Sequence, residues 1–363
     1  CDNSQNPHRF PWTLEELARL MPPREYDESD VRIRPTRTTR RRSKDRPSHS
    51  DSHTALVISV DRGRSGCVLE DGPNQGQVVV AMKARELGPK SVVVGDSVEI
   101  VGDTSGNEGT LARIVKVNDR VNSLSRTVDD AAKLERTIVA NIDQLLIVVA
   151  SANPEPRRGL IDRFLVSAFI EKIHPIIVVT KIDVAPIPEF MERYAALGVE
   201  IMTTSSKVAD RPAQVAEIAS VLKDKVSVLV GHSGVGKSTL INDLVPAAHR
   251  LTGDVNDVTG RGRHTSSSAI ALELPAGGWI IDTPGIRAFG LAHRDPREIV
   301  EAFPDLADVA ATCMSHCSHA EESCALNQWI IEVPALQSER QLRVESLRSL
   351  LDVKSYVDLP HEQ

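Results

Sequence analysis

No apolar run in the 363-residue chain approaches the roughly 20 residues that a membrane-spanning helix needs. The opening residues, CDNSQNPHRF, lack the basic-then-apolar layout of a secretory signal. Both absences lead to the expectation of a cytoplasmic protein with no membrane partner. No internal repeat is visible, which sets aside a repeat architecture. Cysteine is scarce, five in all, and three of the five (Cys313, Cys317 and Cys324) fall within twelve residues. In a cytosolic chain such a cluster reads as metal binding rather than as a disulfide framework. An overall positive charge is also missing: the net charge is -7, so the chain is no simple polycation.

What is present is ordinary in bulk and uneven along the chain. Hydrophobic residues make up 41% and charged residues 26%, as in soluble globular proteins. The length allows two or three domains. Residues 1–52 hold one short amphipathic stretch, WTLEELARLM, and then the densely basic VRIRPTRTTRRRSKDRP. This extension is expected to be largely disordered and, being basic, suited to polyanions.

From 53 to 120 short β-like runs alternate with turn signals such as DRGRSG, DGPNQG and GDTSGNEG. Five short strands in so few residues point to a small closed barrel, with an OB-type barrel the natural candidate and an SH3-like barrel also permitted. Residues 121–137 are expected to be a linker. From 138 to 290 strand-like segments (QLLIVVAS, HPIIVVTKID, VEIMTTSS, KVSVLVGHSG, GGWIIDTPG) alternate with helical ones, the rhythm of a mostly parallel sheet under helices. Residues 291–363 form a helical tail with histidine and cysteine.

The chemistry is concentrated in the 138–290 segment. GHSGVGKST, Gly231 to Thr239, matches G-x-x-x-x-G-K-[ST] between a strand and a helix start. Gly231, His232, Ser233, Gly234, Val235 and Gly236 would wrap phosphate oxygens with backbone N–H groups. Lys237 would reach the β and γ phosphates, and Ser238, followed by Thr239, would ligate magnesium. In WIIDTPG, Asp282 ends an apolar strand and suits water-mediated magnesium binding, while Gly285 can offer its N–H to a γ phosphate. VVTKID has the form of a guanine reader, in which Asp183 accepts from guanine N1–H and N2–H₂ and the Lys181 stem packs on the ring. Thr180 stands where asparagine is commoner. TTSSK supplies Ser205, Ser206 and Lys207 beside the base.

The base reader therefore precedes the phosphate loop, which makes the order a circular permutation. Between the loop and Asp282 lies a polar, Gly-rich stretch suited to a switch. In it Thr265, or its neighbour Ser266, is the candidate second magnesium ligand. Ile286 occupies the place where many GTPases carry a water-orienting glutamine, so a different group or a partner must position the water, and His264 is the candidate catalytic residue. In the tail, Cys313, Cys317, His319 and Cys324 suit tetrahedral structural zinc, with His316 an alternative imidazole.

Together these residues resemble the ribosome small-subunit-dependent GTPases, RsgA or YjeQ, over roughly His53 to Val357. The resemblance rests on the barrel, the order TKID, SSK, GHSGVGKS, GRGRHTSS, DTPGIRAFGL, and the Cys/His tail. It implies an OB barrel, a permuted GTPase domain and a C-terminal zinc domain, using GTP/GDP, Mg2+ and one structural Zn2+. It also implies late maturation of the small ribosomal subunit, with binding to that subunit and its rRNA in the GTP state and release on subunit-stimulated hydrolysis. Other assembly factors are possible partners, and a monomer is expected off the ribosome. The family's switch histidine matches His264. The cysteine gaps are each one residue shorter than is usual in the family, and the basic tail is longer than the family core. Two other readings stay open: an RNA-binding module in which nucleotide only sets conformation, and a phosphate-loop ATPase in which TKID is a coincidence.

Overall fold

β-branched residues punctuated by glycine turns give the first five strands. The computed structural model describes residues 51–61, 63–87, 92–107, 109–129, 134–246, 269–283 and 295–351. The strands are β1 (His53–Asp61), β2 (Arg64–Leu69), β3 (Val78–Lys83), β4 (Ser97–Gly102) and β5 (Ala112–Val117). β1 pairs antiparallel with both β2 and β4, β2 with β3, and β4 with β5, while β3 and β5 run parallel. The pairings form a ring, so the sheet closes on itself and hides its edges. This is the expected OB-like barrel. Alternate residues fill it, among them Val57, Leu69, Val79, Ile100 and Ile114. Cys67 is fully buried there, and burial pushes its thiol up to about 12, so it serves as an inert core residue.

The described residues fall into two compact units, one within 1–92 and 96–119, the other within 93–95 and 120–363. The second unit begins with a departure from expectation. Within the stretch read as a linker, β6 (Ser123–Asp129) and β7 (Leu134–Ala140) pair as an antiparallel ribbon. Its register is interrupted twice. Such bulges break the strict alternation by which strands are read from sequence.

The main sheet of this unit is built from β8 (Gln144–Ala150), β9 (His174–Thr180), β10 (Glu200–Thr204), β11 (Val226–Val230), β12 (Ile270–Glu273) and β13 (Trp279–Asp282). Between the strands lie α1 (Arg158–Ile170), α2 (Glu192–Ala196), α3 (Arg211–Leu222) and α4 (Lys237–Leu244). The spatial order is β10-β9-β8-β11-β13-β12, parallel throughout except for β12. All seven residues of β8 are buried, which explains its unbroken apolar run: a central parallel strand is covered on both faces. Each fully buried Val, Leu or Ile there contributes about 1.5–3 kcal/mol. The polar exception, Gln144, donates from Nε2 to Val221 O at 3.1 Å and accepts from Ser227 Oγ at 3.0 Å. Parallel strands place their carboxyl ends along one edge, where ligands bind.

Among the described residues four helices follow: α5 (Pro296–Glu301), α6 (Pro304–Ala310), α7 (Ala325–Glu332) and α8 (Gln337–Leu351). Asp295 caps α5 by accepting from Arg297 N at 3.0 Å, with a proline in the first turn that needs no acceptor. Phe303 meets Phe169 of α1 edge-on at 4.6 Å between ring centroids. Arg343 of α8 donates to both carboxylate oxygens of Asp305 at 2.7 Å and to Ala196 O of α2 at 2.6 Å. Among the described residues no helix is long and apolar enough to cross a membrane.

Candidate nucleotide site and metal centre

The phosphate loop leaves β11 at Gly231 and enters α4 at Lys237. Gly231, Gly234 and Gly236 have φ of 144°, 80° and 100°. A Cβ on Gly231 would stand 2.2 Å from Val148 O, so the loop can pass that close to β8 only without a side chain. Val235 is buried and anchors the loop, whereas Ser233, Ser238 and Thr239 are exposed and His232 is half-buried. Lys237 Nζ donates to Gly231 O at 2.7 Å and His232 O at 2.9 Å, arching over the loop.

Asp282 ends β13, the parallel neighbour of β11. Burial raises the Asp282 carboxyl and lowers the Lys237 ammonium, and their mutual attraction only partly opposes this. Thr283, buried next to it, donates from Oγ1 to Leu229 O at 2.8 Å and ties the end of β13 to β11. Gly285, Ile286, His264, Thr265 and Ser266 lie outside the described residues, as does the basic extension.

The candidate base reader lies two strands from β11, at the end of β9. Thr180 is buried, and its Oγ1 donates to Val235 O of the phosphate loop at 2.6 Å. The hydroxyl thus ties the end of β9 to the phosphate loop. Lys181 Nζ donates to Gly234 O at 2.8 Å and to Asn153 O. Asp183 accepts from Ser205 Oγ at Oδ1, and Lys207 Nζ stands 3.8 Å from Oδ2. Ser205, with its neighbours, holds the Asp183 carboxyl below the usual carboxylate range, keeping it an acceptor. Ser205 N donates to Gln214 Oε1 at 3.0 Å, a partner on α3 that sequence reasoning missed. Ser206 is exposed beside it. The structure thus gathers Thr180, Lys181, Asp183, Ser205, Lys207 and the phosphate loop along one edge of the sheet.

The second cluster is compact. Sγ of Cys313, Cys317 and Cys324 and a ring nitrogen of His319 all lie within 4.8 Å of one another. Cys313 Sγ is 3.8 Å from Cys324 Sγ, and His319 Nδ1 is 3.7 Å from each. Tetrahedral zinc with Zn–S near 2.3 Å and Zn–N near 2.0–2.1 Å requires edges of about 3.8 and 3.6 Å. The donor set and its spacing fit zinc. His316 is exposed and outside the group. Arg348 of α8 donates from Nε to His319 O at 2.6 Å and from Nη2 to Asn327 Oδ1 at 2.7 Å, bracing the histidine's backbone.

A phosphate-loop strand in mid-sheet, with the TKID strand before it in sequence and the Asp282 strand after it, marks a circularly permuted GTPase. Residues 117–292 match the profile of the RsgA GTPase family. The chain is 40% identical over 247 residues to the small ribosomal subunit biogenesis GTPase RsgA of Shewanella oneidensis, covering 65% of this chain and 68% of that protein. It is 35% identical over 294 residues to the protein of the same name from Chlorobaculum parvum, covering 78% and 92%. The chain belongs to the RsgA GTPase family. Among solved structures it resembles YjeQ from Thermotoga maritima, with TM-score 0.60 and 26% identity over 83% of this chain and 99% of that one. It shares its fold with YloQ, described as a circularly permuted GTPase, at TM-score 0.58 and 24% identity over 85% and 98%.

Proposed function

We propose that this GTPase acts in biogenesis of the small ribosomal subunit, binding the subunit and its rRNA with GTP and leaving on subunit-stimulated hydrolysis. The observation that carries the nucleotide part is the direct tie between base reader and phosphate loop, Thr180 to Val235 O and Lys181 to Gly234 O. Guanine would be read by Asp183 and Ser205 with Ser206 and Lys207, an aspartate that adenine would leave unpaired at a large cost. The phosphates would lie on residues 231–239 under Lys237. Mg2+ held by Ser238 and Thr265, with Asp282 through water, would offset phosphate charge. Gly285 would meet the γ phosphate, and His264 would position the attacking water. Cys313, Cys317, His319 and Cys324 would hold a structural Zn2+, since four protein ligands leave no open position.

The β6–β7 ribbon supports contact with rRNA. Arg126 and Arg136 are exposed and directly opposed across it. Facing like charges are unfavourable alone, and a phosphate backbone relieves them. GTP turnover should rise strongly with purified small subunits and only weakly with large ones. Turnover unchanged by small subunits would overturn the proposal. Paired R126E and R136E changes should weaken subunit binding and flatten its salt dependence by about two charges. An unchanged salt slope would exclude the ribbon from the contact.

A further inference from the structure

We propose that Ser151 is a positioning residue for guanine recognition. This rests on the reading of Thr180 to Asp183 as the base reader. Ser151 is 6% exposed and lies one step beyond the β8–β9 register, which ends at Ala150 opposite Thr180. Its N–H donates to Thr180 O at 2.9 Å, and its Oγ donates to Lys181 O at 2.7 Å. One residue thus holds two consecutive carbonyls of the base reader. The first bond any residue could make; the second needs a short side chain ending in a donor.

The Lys181 carbonyl has a second partner, Val184 N–H at 2.8 Å. That bond closes a four-residue turn, Lys181 to Val184, with Asp183 at its third position. Lys181 stands at φ 59°, in the left-handed region that residues other than glycine seldom adopt. Ser151 therefore fixes the carbonyl on which the turn closes, and the turn sets where the Asp183 carboxylate points. Two residues past Ser151, Asn153 O accepts from Lys181 Nζ. The same loop grips Lys181 by its main chain and by its ammonium. Ser205 meets Asp183 from the β10 side, so the turn that carries the carboxylate is held from both neighbours of β9.

The test compares equilibrium affinity for GDP and IDP in the full chain, with Ser151→Ala and Ser151→Cys. IDP lacks the N2 amino group that Asp183 accepts from. The wild type should prefer GDP. Both variants should lose most of that preference, with GDP affinity falling about ten-fold, the size expected for one buried hydrogen bond, and IDP affinity falling less. Cysteine nearly matches serine in size but donates poorly, so it separates the bond from packing and carries the test if the alanine variant folds badly. General destabilisation lowers the thermal midpoint without moving the GDP:IDP ratio. A wild-type ratio in either variant, or an equal fall for both nucleotides, would overturn the role of Ser151. A wild type that binds GDP and IDP alike would instead overturn the base reader, and this inference with it.

Discussion

His319→Ala should cost the chain its zinc, and His316→Ala should not. Either histidine could complete three thiolates in sequence, but the geometry separates them. His319 Nδ1 lies 3.7 Å from both Cys313 Sγ and Cys324 Sγ, close to the edges of a zinc tetrahedron. Structural zinc binds with an apparent ~10–16 kcal/mol at neutral pH. Changing even the groups behind the ligands costs about 10–100-fold in affinity, and removing a ligand costs more. Most of the loop between Cys313 and Cys324 is exposed, so the segment has little core to hold it once the metal leaves. The assay is zinc content per chain after dialysis against a graded chelator, followed by the thermal midpoint of each variant. Wild type and H316A should keep one zinc to the same chelator strength. H319A should lose it at far lower strength and show an earlier transition. Zinc retained by H319A, or lost by H316A, would refute the assignment of the fourth ligand.

Thr180→Ala should weaken GDP and GTP binding about ten-fold by orphaning the Val235 carbonyl, whereas Thr180→Asn should retain affinity. A T180A protein with wild-type affinity in a titration would show that the tie is dispensable. Burial raises the Asp162 carboxyl to about 6, against which Tyr194, Arg158 and Arg193 pull only partly. The folded state therefore holds this proton more tightly than the unfolded chain. Its stabilising effect is complete below the ordinary carboxylate value of 3.8 and is lost as pH rises through about 6. A shift of about two units corresponds to roughly 3 kcal/mol. Denaturant unfolding should show the wild type losing stability over this window relative to Asp162→Asn, and parallel pH profiles would exclude Asp162 as the source.

The phosphate loop was legible because backbone demands fix its residue types. Gly231 is forced by the Val148 carbonyl 2.2 Å from its would-be Cβ, and Gly236 by φ 100°. The barrel strands were legible because a closed barrel needs alternation and tight turns. The residues that brace the site were not. Ser151, Gln214 and Thr283 act through partners 30, 9 and 54 positions away, and nothing local marks a serine ending an apolar strand as anything but a strand end. β12 was missed because its four residues carry no motif at their end, whereas the equally short β13 runs into DTPG. The ribbon at 123–140 was read partly as linker because its bulges scramble the alternation. The cysteine–histidine cluster was legible as a set, but which of two nearby histidines joins it depends on how the loop folds.

The permuted order places the C-terminal segment directly after β13 in the chain. The structure adds a second connection. Arg343 grips Asp305 with two bonds and Ala196 O with a third, and it lies 147 positions from Ala196. The same helix carries Arg348 to the His319 carbonyl. Arg343 holds the Asp305 carboxyl below the usual range, so this carboxylate keeps its charge to a lower pH than an ordinary aspartate. The C-terminal segment is therefore joined to the main sheet along the chain after β13 and again by α8 at α2, the helix between β9 and β10. A pull passed along the chain from β13 would act against the charge-assisted bond from Arg343 to Ala196 O. Movement of the cysteine–histidine loop and α8 as one body would leave Arg348 and His319 together and load both the Arg343 bond to Ala196 O and the contact of Phe303 with Phe169.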